Sequence, residues 1–387
     1  MKILVLNSGS SSIKATLFDF SKSPSGKETQ TEIAKAVIDG IGLKRCKFIF
    51  TKLTKTTATN IEKCHITHHE EGIKLILETL LKTKCLKDLG EITAVGHRVV
   101  HGGEKYTKPT LLNNKILKEI EKLSSLAPLH NPANLASIKA CQKLLPQAKQ
   151  TAVFDTAFHQ TMPEKAYLYA IPKQFYKKHQ IRRYGFHGTS HKYVINEALK
   201  ILKKSSPRLT APKIISCHLG NGSSITASIA GKCIDTTMGF TPMEGLPMGT
   251  RSGSIDPGII LHLTNNLKFT TKEIDNLLNH KSGLLALSDL SSDMRDIHQA
   301  AEKGHKASVL TIEILSYQIA KQCGAYTAAL QGIDALIFTG GIGEHAFYIR
   351  DKVCAYLKFL HIKKILIIPT NEEKQIAMET IELISEC

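Results

Sequence analysis

The sequence predicts an α/β protein with two domains, and three observations support that prediction. The chain has 387 residues, which is more than one hydrophobic core usually organises. Predicted strands and helices alternate along its length, as they do where helices cover the faces of a sheet. Two similar hairpins with Gly, Ser and Asn at their tips lie about half a chain apart, and such self-similarity indicates a structural duplication.

The first hairpin opens the chain. Residues 3–6 form a continuous apolar run, residues 7–12 are turn-forming, and apolar and polar side chains alternate over residues 13–17. The apolar run is too short for the hydrophobic region of a secretory signal, so we expect a first β-strand there.

Four further elements follow in the first half. We expect a strand over residues 92–100 and a helix around residues 116–123. Asn131 is expected to cap a second helix, with Pro132 at its first position. Residues 151–155 predict a buried strand that ends on a carboxylate.

The second hairpin repeats the pattern of the first. Residues 213–218 predict a strand, residues 219–224 a tight turn, and residues 225–229 alternate as a returning strand. A single hairpin of this kind is common, but its recurrence is what favours two related domains.

The last part of the chain alternates helix and strand. We expect a long helix over residues 305–330 and a strand over residues 335–338 that leads into a glycine-rich turn at residues 340–343. A strand over residues 365–368 precedes a helix that opens with a capping-box pattern at residues 370–373.

Three glycine-rich turns are candidate phosphate-binding loops: residues 7–12, 219–224 and 340–343. Glycine allows the backbone to approach an anion, and successive N–H groups in a tight turn form an anion-binding concavity. Each lies at the end of a predicted strand. Together they predict a nucleotide-binding protein.

Other nucleotide-binding classes are excluded by missing motifs. The chain has no G-x-x-x-x-G-K-[ST] loop, its His97-Arg98-Val99 is not H-R-D, and no D-F-G follows. No G-x-G-x-x-G is linked to a strand. Phosphate hairpins in both halves instead predict a duplicated ribonuclease-H-like, actin-like ATPase fold with an interdomain nucleotide cleft. We expect residues 1–155 plus 374–387 in the first domain and residues 156–373 in the second.

The chain is basic, with 51 Lys and Arg against 34 Asp and Glu and a formal net charge of +17. The lysines are spread from Lys2 to Lys374, without an Arg-rich block or an aromatic-interleaved stripe. A surface that attracts small anionic substrates therefore explains the charge better than nucleic-acid binding does.

The cysteines and the hydrophobic pattern predict location. Nine cysteines are scattered without a C-x-x-C pair, which indicates reduced thiols and a cytoplasmic protein. No run of about 18 apolar residues occurs, so we expect no membrane span.

Ten sequence blocks together resemble the acetate kinase family in order and spacing, from the first strand to residue 373. They are N-S-G-S-S-S-I-K (7–14), G-H-R-V-V-H-G-G (96–103), A-P-L-H-N-P-A-N (127–134), F-D-T-A-F-H-Q-T-M-P (154–163), Y-G-F-H-G-T-S-H (184–191), H-L-G-N-G-S-S (218–224), G-T-R-S-G (249–253), S-S-D-M-R-D-I (291–297), G-G-I-G-E (340–344) and P-T-N-E-E (369–373).

The resemblance implies an ATP-dependent kinase that phosphorylates acetate reversibly, by direct in-line transfer, to give acetyl phosphate and ADP. It further implies Mg²⁺, with Mn²⁺ as an alternative, and a homodimer. Kinases of propionate or another short carboxylate, and a non-catalytic actin-like nucleotide switch, remain alternatives.

Acyl-phosphate formation needs little covalent chemistry from the protein. A carboxylate with a pKa of about 4 to 5 is ionised at neutral pH, so the nucleophile needs no general base. The protein must hold two anions in line and neutralise charge on the phosphoryl group, for which arginine is suited. Arg98 and Arg251, both in Gly-flanked segments, are the candidates.

The resemblance gives these residues roles. It implies that Arg98 binds the acetate carboxylate, that Arg251 stabilises the transition state and that His187 donates a hydrogen bond to the phosphoryl oxygens. Asp155 corresponds to the family's catalytic acidic residue, and we favour a role in positioning a metal-bound water, Arg98 or the substrate over that of a base. The small apolar pocket for the acetate methyl group would comprise Val100, Leu129, Phe186 and Pro242, and a single methylene there discriminates only about 10- to 200-fold.

The resemblance also implies the metal and nucleotide contacts. Asn7 and Glu372 correspond to the magnesium-associated positions, and Lys14 to a phosphate-contacting lysine. Few direct protein ligands suit Mg²⁺, which retains water and takes phosphate oxygens. The remaining nucleotide contacts would be Ser10, Ser12, His218, Leu219, Gly220, Asn221, Gly222, Asp293, Met294, Arg295, Gly341, Ile342, Gly343, Glu344 and His345.

Three positions depart from the family's usual pattern: Pro247, Ser254 and His345. His345 follows the last glycine loop where the family has Asn, and Ser254 stands where the family has Asp. These departures concern nucleotide affinity and the setting of Arg251.

Overall fold

The computed structural model describes residues 1–22, 28–53, 58–127 and 130–386. It divides into two units: the first comprises Met1–Ala157 and Asn371–Cys387, and the second comprises Phe158–Thr370. The boundaries expected from the sequence fall two and three residues away from these. One consequence is that Glu372 belongs to the first unit.

The described strands differ in length, and the two longest have 11 and 12 residues. Those of the first unit are β1 (Lys2–Ser8), β2 (Ser12–Lys22), β3 (Glu28–Asp39), β4 (Cys46–Lys52), β5 (Ala58–Cys64), β6 (Ile92–Val99), β7 (Thr110–Leu111) and β8 (Lys149–Phe154). Those of the second are β9 (Lys213–Leu219), β10 (Ser223–Ile229), β11 (Lys232–Thr236), β12 (Ala335–Thr339) and β13 (Lys364–Ile367).

Helices fill most of the remaining described chain. In the first unit they are α1 (His69–Lys82), α2 (Asn114–Lys122) and α3 (Asn131–Leu144), together with the last helix of the chain. The second unit has α4 (Glu164–Tyr167), α5 (Lys173–His179), α6 (Gly188–Ser205), α7 (Pro257–Asn265), α8 (Thr271–His280), α9 (Gly283–Ser288), α10 (Met294–Glu302), α11 (Lys306–Leu330), α12 (Gly340–His345) and α13 (Phe347–Tyr356). The last helix is α14 (Glu372–Ser385). No helix within the described ranges is long and apolar enough to cross a membrane.

The two sheets share one strand order, which confirms the predicted duplication. The first runs β5-β4-β3-β2-β1-β6-β8-β7, and the second runs β11-β10-β9-β12-β13. In both, two antiparallel strands (β3 and β2, or β11 and β10) stand directly before the first strand of the unit (β1 or β9), and two parallel strands (β6 and β8, or β12 and β13) follow on its other side. The glycine-rich hairpins β1–β2 and β9–β10 therefore occupy equivalent places.

Helices cover both faces of the first sheet. On one face α1 and α3 bury a cluster that includes Ile13, Phe50 and Ile73. On the other, Ile376 and Ala377 of α14 pack on the central strands. Each fully buried Ile or Phe contributes roughly 1.5–3 kcal/mol relative to an exposed one, so this burial supplies much of the unit's stability.

The second sheet is covered in the same way. Helices α11 and α13 pack on one face around Ile225, Ile319 and Phe338. Helix α6 covers the other face with Val194 and Ile195. This packing places the first residues of α6 beside the ends of β9 and β10.

The sequence predicted that Asn131 caps α3, and this prediction was wrong. Asn131 is the first residue of the helix, and His130 is the N-cap. Its buried side chain accepts a hydrogen bond from the backbone N–H of His101 (3.2 Å) and donates to the carbonyl of the same residue (3.2 Å). The amide is used to satisfy the strand-end backbone after β6 instead of the helix terminus.

The third glycine segment is a helix, and the prediction of a turn was wrong. Residues 340–345 form α12 directly after β12. Gly340 has φ of 77°, and a Cβ there would meet the backbone of Leu219. A positive φ and close contact both require glycine, which is why the chain can reverse into a helix at this point.

The capping box expected at residues 370–373 is replaced by a simpler cap. Asn371 is the N-cap of α14, and its side chain accepts from the N–H of Lys374 at 2.9 Å. The Thr370 hydroxyl bonds to Ser190 instead. Asn is among the strongest N-caps, so it takes precedence over the neighbouring threonine.

Candidate active site

Three adjacent strands of the first unit end at one edge of the sheet. Strands β1, β6 and β8 are parallel neighbours, and ligands of open α/β sheets bind at the carboxyl ends of such strands. Asn7 lies near the end of β1, Arg98 near the end of β6, and Asp155 directly after β8. The fold therefore brings these three predicted site residues together.

Arg98 is the centre of this group. Its Nε donates to both carboxylate oxygens of Asp155 at 3.0 Å, and its Nη2 also donates to Asp155. Its Nη1 donates to Oδ1 of Asn7 at 3.0 Å, and Glu372 Oε2 lies 3.8 Å from Nε. Of the five N–H groups of an arginine, two remain for a ligand beyond these contacts.

The charges of this group are strongly coupled. Burial by itself would lower the pKa of Arg98, but the carboxylates of Asp155 and Glu372 raise it, so the guanidinium stays charged. Burial raises the pKa of Glu372 to about 7; Arg98 opposes the shift and Asp155 adds to it. Asp155 is almost completely buried, so its carboxylate is held in place by Arg98.

Oxygen atoms dominate the group, which fits a hard cation. Asn7 and Glu372 supply an amide and a carboxylate oxygen next to Arg98, and two carboxylates around one guanidinium leave surplus negative charge. Mg²⁺ prefers such oxygen ligands and keeps several waters. Within the described residues no set of three or more His, Cys, Asp or Glu converges on a metal position, so a resident site would depend on waters and phosphate oxygens.

The first hairpin presents the other predicted groups. Lys14 is exposed and pairs in register with Asn7, and its charge lies close enough to oppose the raised pKa of Glu372. Ser10 is exposed and Ser12 is half-buried. Val100 is buried, with its N–H donating to Asn134 Oδ1 at 3.1 Å, whereas Leu129 lies outside the described residues.

His187 stands in the second unit at the N-terminus of α6. Its φ of 56° is in the left-handed region, which is uncommon for a residue with a Cβ and is found at functional sites. Its Nδ1 bonds to Ser224 Oγ at 3.0 Å, and its ring lies 4.4 Å from that of His218. Phe186, the preceding residue, is buried.

Arg251 lies beside His187. A Cβ built on Gly222 would stand 3.1 Å from Arg251 Nη2 and 3.1 Å from His187 Nε2, so both side chains close around this glycine. Arg251 donates to the carbonyl of Pro242 at 2.6 Å, and burial lowers its pKa. It forms no ion pair with any described residue.

A cavity of about 790 Å³ lies in the second unit and gathers three predicted segments. Eight of the predicted nucleotide residues line it: Gly220, Asn221, Asp293, Met294, Arg295, Gly341, Ile342 and His345. Its size matches a small-molecule cofactor site. Gly341 has open space at its Cα, as expected where a ligand approaches the backbone.

Some predicted residues are next to the cavity without lining it. Glu344 accepts from the backbone N–H of Gly340 (3.0 Å) and of Thr370 (3.3 Å), so it fixes the start of α12. The others outside the lining are His218, Leu219, Gly222 and Gly343.

The sequence did not predict the aromatic part of the cavity. His298 and Tyr348 stack with ring centroids 3.6 Å apart and an interplanar angle of 15°, and both line the cavity. Their separation in the chain left no local signal. Ser292, Gln299, Glu302, Ala346 and Phe347 also line the cavity and were missed.

Two of the unusual positions have visible structural roles. The Ser254 hydroxyl accepts from the N–H of Gly245 at 3.0 Å, and its own N–H donates to the carbonyl of Gly245 at 2.9 Å. Ser254 therefore closes the loop of residues 245–254, which carries Arg251. His345 is exposed at the rim of the cavity.

The comparisons with known proteins agree with this geometry. The model of the acetokinase family matches residues 2–377. The chain belongs to the acetokinase family. It is similar to the acetate kinase of Pseudothermotoga lettingae, with 48% identity over 99% of this chain and 98% of that protein, and to that of Thermotoga maritima, with 47% identity over 100% and 99%.

Solved structures give the same family. A crystal structure of Porphyromonas gingivalis acetate kinase matches with a TM-score of 0.89 and 39% identity over 99% of both chains. A propionate kinase from Francisella tularensis matches with a TM-score of 0.87 and 41% identity over 98% of both chains. The family predicted from the ten sequence blocks and the duplicated α/β fold are thereby confirmed.

Proposed function

We propose that the protein is an acetate kinase that transfers the γ-phosphoryl group of ATP reversibly to acetate, giving acetyl phosphate and ADP. The observation that carries the proposal is Arg98, held by Asp155 and Asn7 at the strand ends with two N–H groups left for a ligand, in a chain of the acetokinase family. In this proposal the first unit supplies the acceptor site and the second binds the nucleotide.

The acceptor needs orientation and no base. Acetate is ionised at neutral pH, and the remaining N–H groups of Arg98 are suited to bind a carboxylate. Both oxygens of Asp155 accept from Arg98, so the role of Asp155 is to fix that guanidinium. This supports the positioning role over general-base catalysis.

The donor needs charge stabilisation. Arg251 has a buried charge with no described anionic partner, and His187 Nε2 lies beside it at Gly222. Both are suited to donate to oxygens of the transferring phosphoryl group, where positive charge and hydrogen bonds lower the barrier. The cavity of about 790 Å³ would hold the rest of the nucleotide.

Magnesium would be held by Asn7 and Glu372 together with phosphate oxygens. When bound, Mg²⁺ supplies charge neutralisation on the phosphates. Asn7 and Glu372 orient their oxygens through contacts with Arg98, so the metal and acceptor sites are built on one side chain. Mn²⁺ has similar ligand preferences and should substitute.

A propionate kinase is the second candidate, because a structural neighbour at 41% identity carries that name. Val100 is buried at the end of β6 and is proposed to line the methyl pocket with Phe186 and Pro242. One methylene alters specificity by only about 10- to 200-fold. A difference in kcat/KM between acetate and propionate therefore decides between the two.

We also infer a homodimer in the cytoplasm. Helix α7 exposes three consecutive large apolar side chains: Ile259, Ile260 and Leu261. Large apolar side chains exposed within one helical turn favour an interaction site. Light scattering on purified protein would return the mass of a monomer if this inference is wrong.

The experiment is a hydroxylamine-trapping assay with ATP, Mg²⁺ and acetate, propionate or butyrate. We expect acyl hydroxamate with acetate at the highest kcat/KM. Absence of product with all three acids would favour the non-catalytic nucleotide switch. Salt-sensitive retention on DNA in the presence of saturating ATP would favour a nucleic-acid binder.

Arg98→Ala and Arg251→Ala test the same proposal at the residues. Each should lower kcat by roughly 10²- to 10³-fold, the cost of removing one charge-stabilising donor. Arg208→Ala, at an exposed arginine far along the chain from either group, is the control. Wild-type turnover in either site variant would remove that arginine from the mechanism.

A further inference from the structure

Two sequence motifs meet in a buried chain of hydrogen bonds that the proposed mechanism leaves unexplained. Ser224 ends the H-L-G-N-G-S-S block, and His191 ends the Y-G-F-H-G-T-S-H block. Ser224 Oγ bonds to His187 Nδ1 at 3.0 Å and to His191 Nε2 at 2.8 Å. His191 Nδ1 in turn bonds to Ser216 Oγ at 2.7 Å. Ser216, His191 and Ser224 are fully buried.

The protons of these hydrogen bonds can point in either of two directions, because each hydroxyl has one proton and each neutral imidazole has one N–H. In one direction His187 Nδ1–H donates to Ser224, Ser224 donates to His191, and His191 donates to Ser216. In the other, Ser216 donates to His191, His191 donates to Ser224, and Ser224 donates to His187. The direction decides which nitrogen of a neutral His187 carries the proton.

Ser216 determines the direction. His191 is its sole described side-chain hydrogen-bond partner. If Ser216 only accepted, its buried hydroxyl proton would have no acceptor among the described residues, and an unsatisfied buried donor costs about 1–3 kcal/mol. The proton of Ser216 is therefore directed to His191 Nδ1. Every donor from Ser216 to His187 is then satisfied, and the proton of His187 lies on Nε2.

The surroundings of His187 favour the neutral imidazole. Arg251 Nη2 and His187 Nε2 both lie 3.1 Å from the position of a Cβ built on Gly222, and the centroid of the His218 ring is 4.4 Å from that of His187. Ser224 bonds to His187 and also to His191, and the ring centroids of His191 and His159 are 5.9 Å apart. Burial lowers the pKa of His191 well below its usual value, so that ring is neutral. A second positive charge next to Arg251 would be repelled.

We infer that Ser216, His191 and Ser224 are positioning residues that hold His187 as the neutral Nε2–H tautomer, so that it donates a hydrogen bond to the transferring phosphoryl group without being protonated. The last part of this inference rests on the proposed function. The tautomer itself does not, because it follows from the hydrogen bonds within the second unit.

The first test is the ¹⁵N NMR spectrum of the histidine side chains, with the His187 signals identified by their loss in His187→Gln. At about pH 8, where a free imidazole is neutral, we expect a protonated Nε2 and an unprotonated Nδ1. A protonated Nδ1, alone or with Nε2, would overturn the inference. This measurement needs no turnover, so it stands even if the chain forms no acyl phosphate.

The second test is the pH profile of kcat in Ser224→Ala, with Ser228→Ala as the matched control. Ser228 is equally buried on β10 but donates to the carbonyl of Ile214, so it takes no part in the hydrogen bonds that link Ser216, His191, Ser224 and His187. Without Ser224, a neutral His187 can carry its proton on either nitrogen, whereas the imidazolium form of His187 always has an N–H on Nε2. We expect kcat at about pH 8 to fall roughly 10-fold and to recover as the pH falls towards 6, with KM for ATP little changed.

Ser216→Ala provides a variant that does not touch His187. It removes the group that sets the direction, so both His187 tautomers should appear in the spectrum. Thermal unfolding of each variant identifies loss of fold, and Ser216→Ala decides the question if Ser224→Ala does not fold. If Ser216→Ala and Ser224→Ala both give wild-type spectra and pH profiles, these hydrogen bonds are merely structural and the inference is wrong.

Discussion

At the scale of single residues, the two arginines differ in how their charge is compensated. Arg98 is surrounded by Asp155, Asn7 and Glu372, whereas Arg251 donates to the Pro242 carbonyl and has no described acidic partner. A paired arginine is held rigidly and presents its remaining donors in a fixed direction. An unpaired buried arginine is stabilised only when an anion arrives, which suits a charge that develops during transfer.

Glu372→Gln tests the proposed metal position. The substitution keeps an oxygen next to Arg98 but removes a negative charge, so we expect the Mg²⁺ concentration for half-maximal turnover to rise at least about 10-fold. Titration of activity with MgCl₂ measures it, and chelation of the metal should abolish turnover. The adjacent Glu373→Gln, which removes an equal charge one residue along α14, is the control. An equal shift in both variants would indicate general electrostatics and no specific ligand.

The residues that sequence analysis missed share one physical property. His298 and Tyr348 stack on each other although 50 positions separate them in the chain, and Ser216 reaches His191 from a different element. Contacts of this kind depend on tertiary packing, so no local pattern indicates them. Arg98 and Arg251, by contrast, stood out as candidates because they lie in Gly-flanked motifs, and their roles stay predictions.

At the scale of elements, the N-terminus of α14 connects helix capping to the site. Asn371 caps the helix, and its Nδ2 donates to Glu32 at 2.9 Å. Glu372 is the next residue and the first of α14, so the cap fixes the backbone from which its carboxylate extends. Asn113 caps α2 through the N–H of Ile116 at 3.0 Å, away from the strand-end group.

Asn371→Ala and Asn113→Ala should therefore separate stability from activity. Each loses an N-cap, so each should lower the free energy of unfolding by about 1 kcal/mol. Only Asn371→Ala should also lower turnover, because it moves Glu372. Denaturant titration and steady-state assays measure the two effects, and Asn371→Ser should restore both. Equal turnover in the two alanine variants would contradict the link.

The tip of the second hairpin gives a prediction about close packing. In Gly222→Ala the new methyl group would press on Arg251 and His187, each at 3.1 Å. Displacement of reacting groups by a fraction of an ångström lowers rates steeply, so we expect kcat to fall at least about 10-fold. Gly324→Ala, in the interior of α11 with open space around it, should leave kcat unchanged and stabilise the fold by about 0.5–1 kcal/mol. Unchanged turnover in Gly222→Ala would show that the two side chains yield freely.

Local signals predicted the two hairpins and the strands that end at the candidate site, but they did not predict β3, β4, β5 or most of the helices. Both hairpins follow from period-two alternation and turn residues. The segment after β12 looked like a third turn because its glycines are compatible with either structure. Only its contact with Leu219 requires the positive φ of Gly340 that starts a helix. Asn131 is a residue type that favours N-caps, but its amide bonds to the backbone N–H and carbonyl of His101 instead.

At the scale of the whole molecule, buried neutral histidines link stability to pH. Burial lowers the pKa of His97 to about 4 and that of His101 to about 4, and His191 is also shifted well below its usual value. An unfolded chain binds protons on these histidines near pH 6.5, but the folded chain does not. Their contribution to stability is complete above about pH 6.5 and is lost as the pH falls towards 4.

We therefore expect the free energy of unfolding to decrease between pH 6.5 and pH 4, by up to about 1.4 kcal/mol per pH unit for each such histidine. Urea titrations across this range measure the slope. His97→Gln should reduce the slope by the contribution of one histidine, since Gln does not titrate. A slope identical to that of the wild type would mean that His97 is not neutral in the fold.

The division of the chain has a consequence for its synthesis. The second unit is one uninterrupted segment that ends at Thr370, whereas the first needs residues from both sides of it. Domains generally fold as units during translation. A nascent chain that has emerged only to Thr370 thus has every residue of the nucleotide cavity but lacks α14, whose Ile376 and Ala377 bury Ile3 and Val5. The unit proposed to bind the nucleotide is therefore complete first, and the unit proposed to bind acetate is complete only after α14 has emerged from the ribosome.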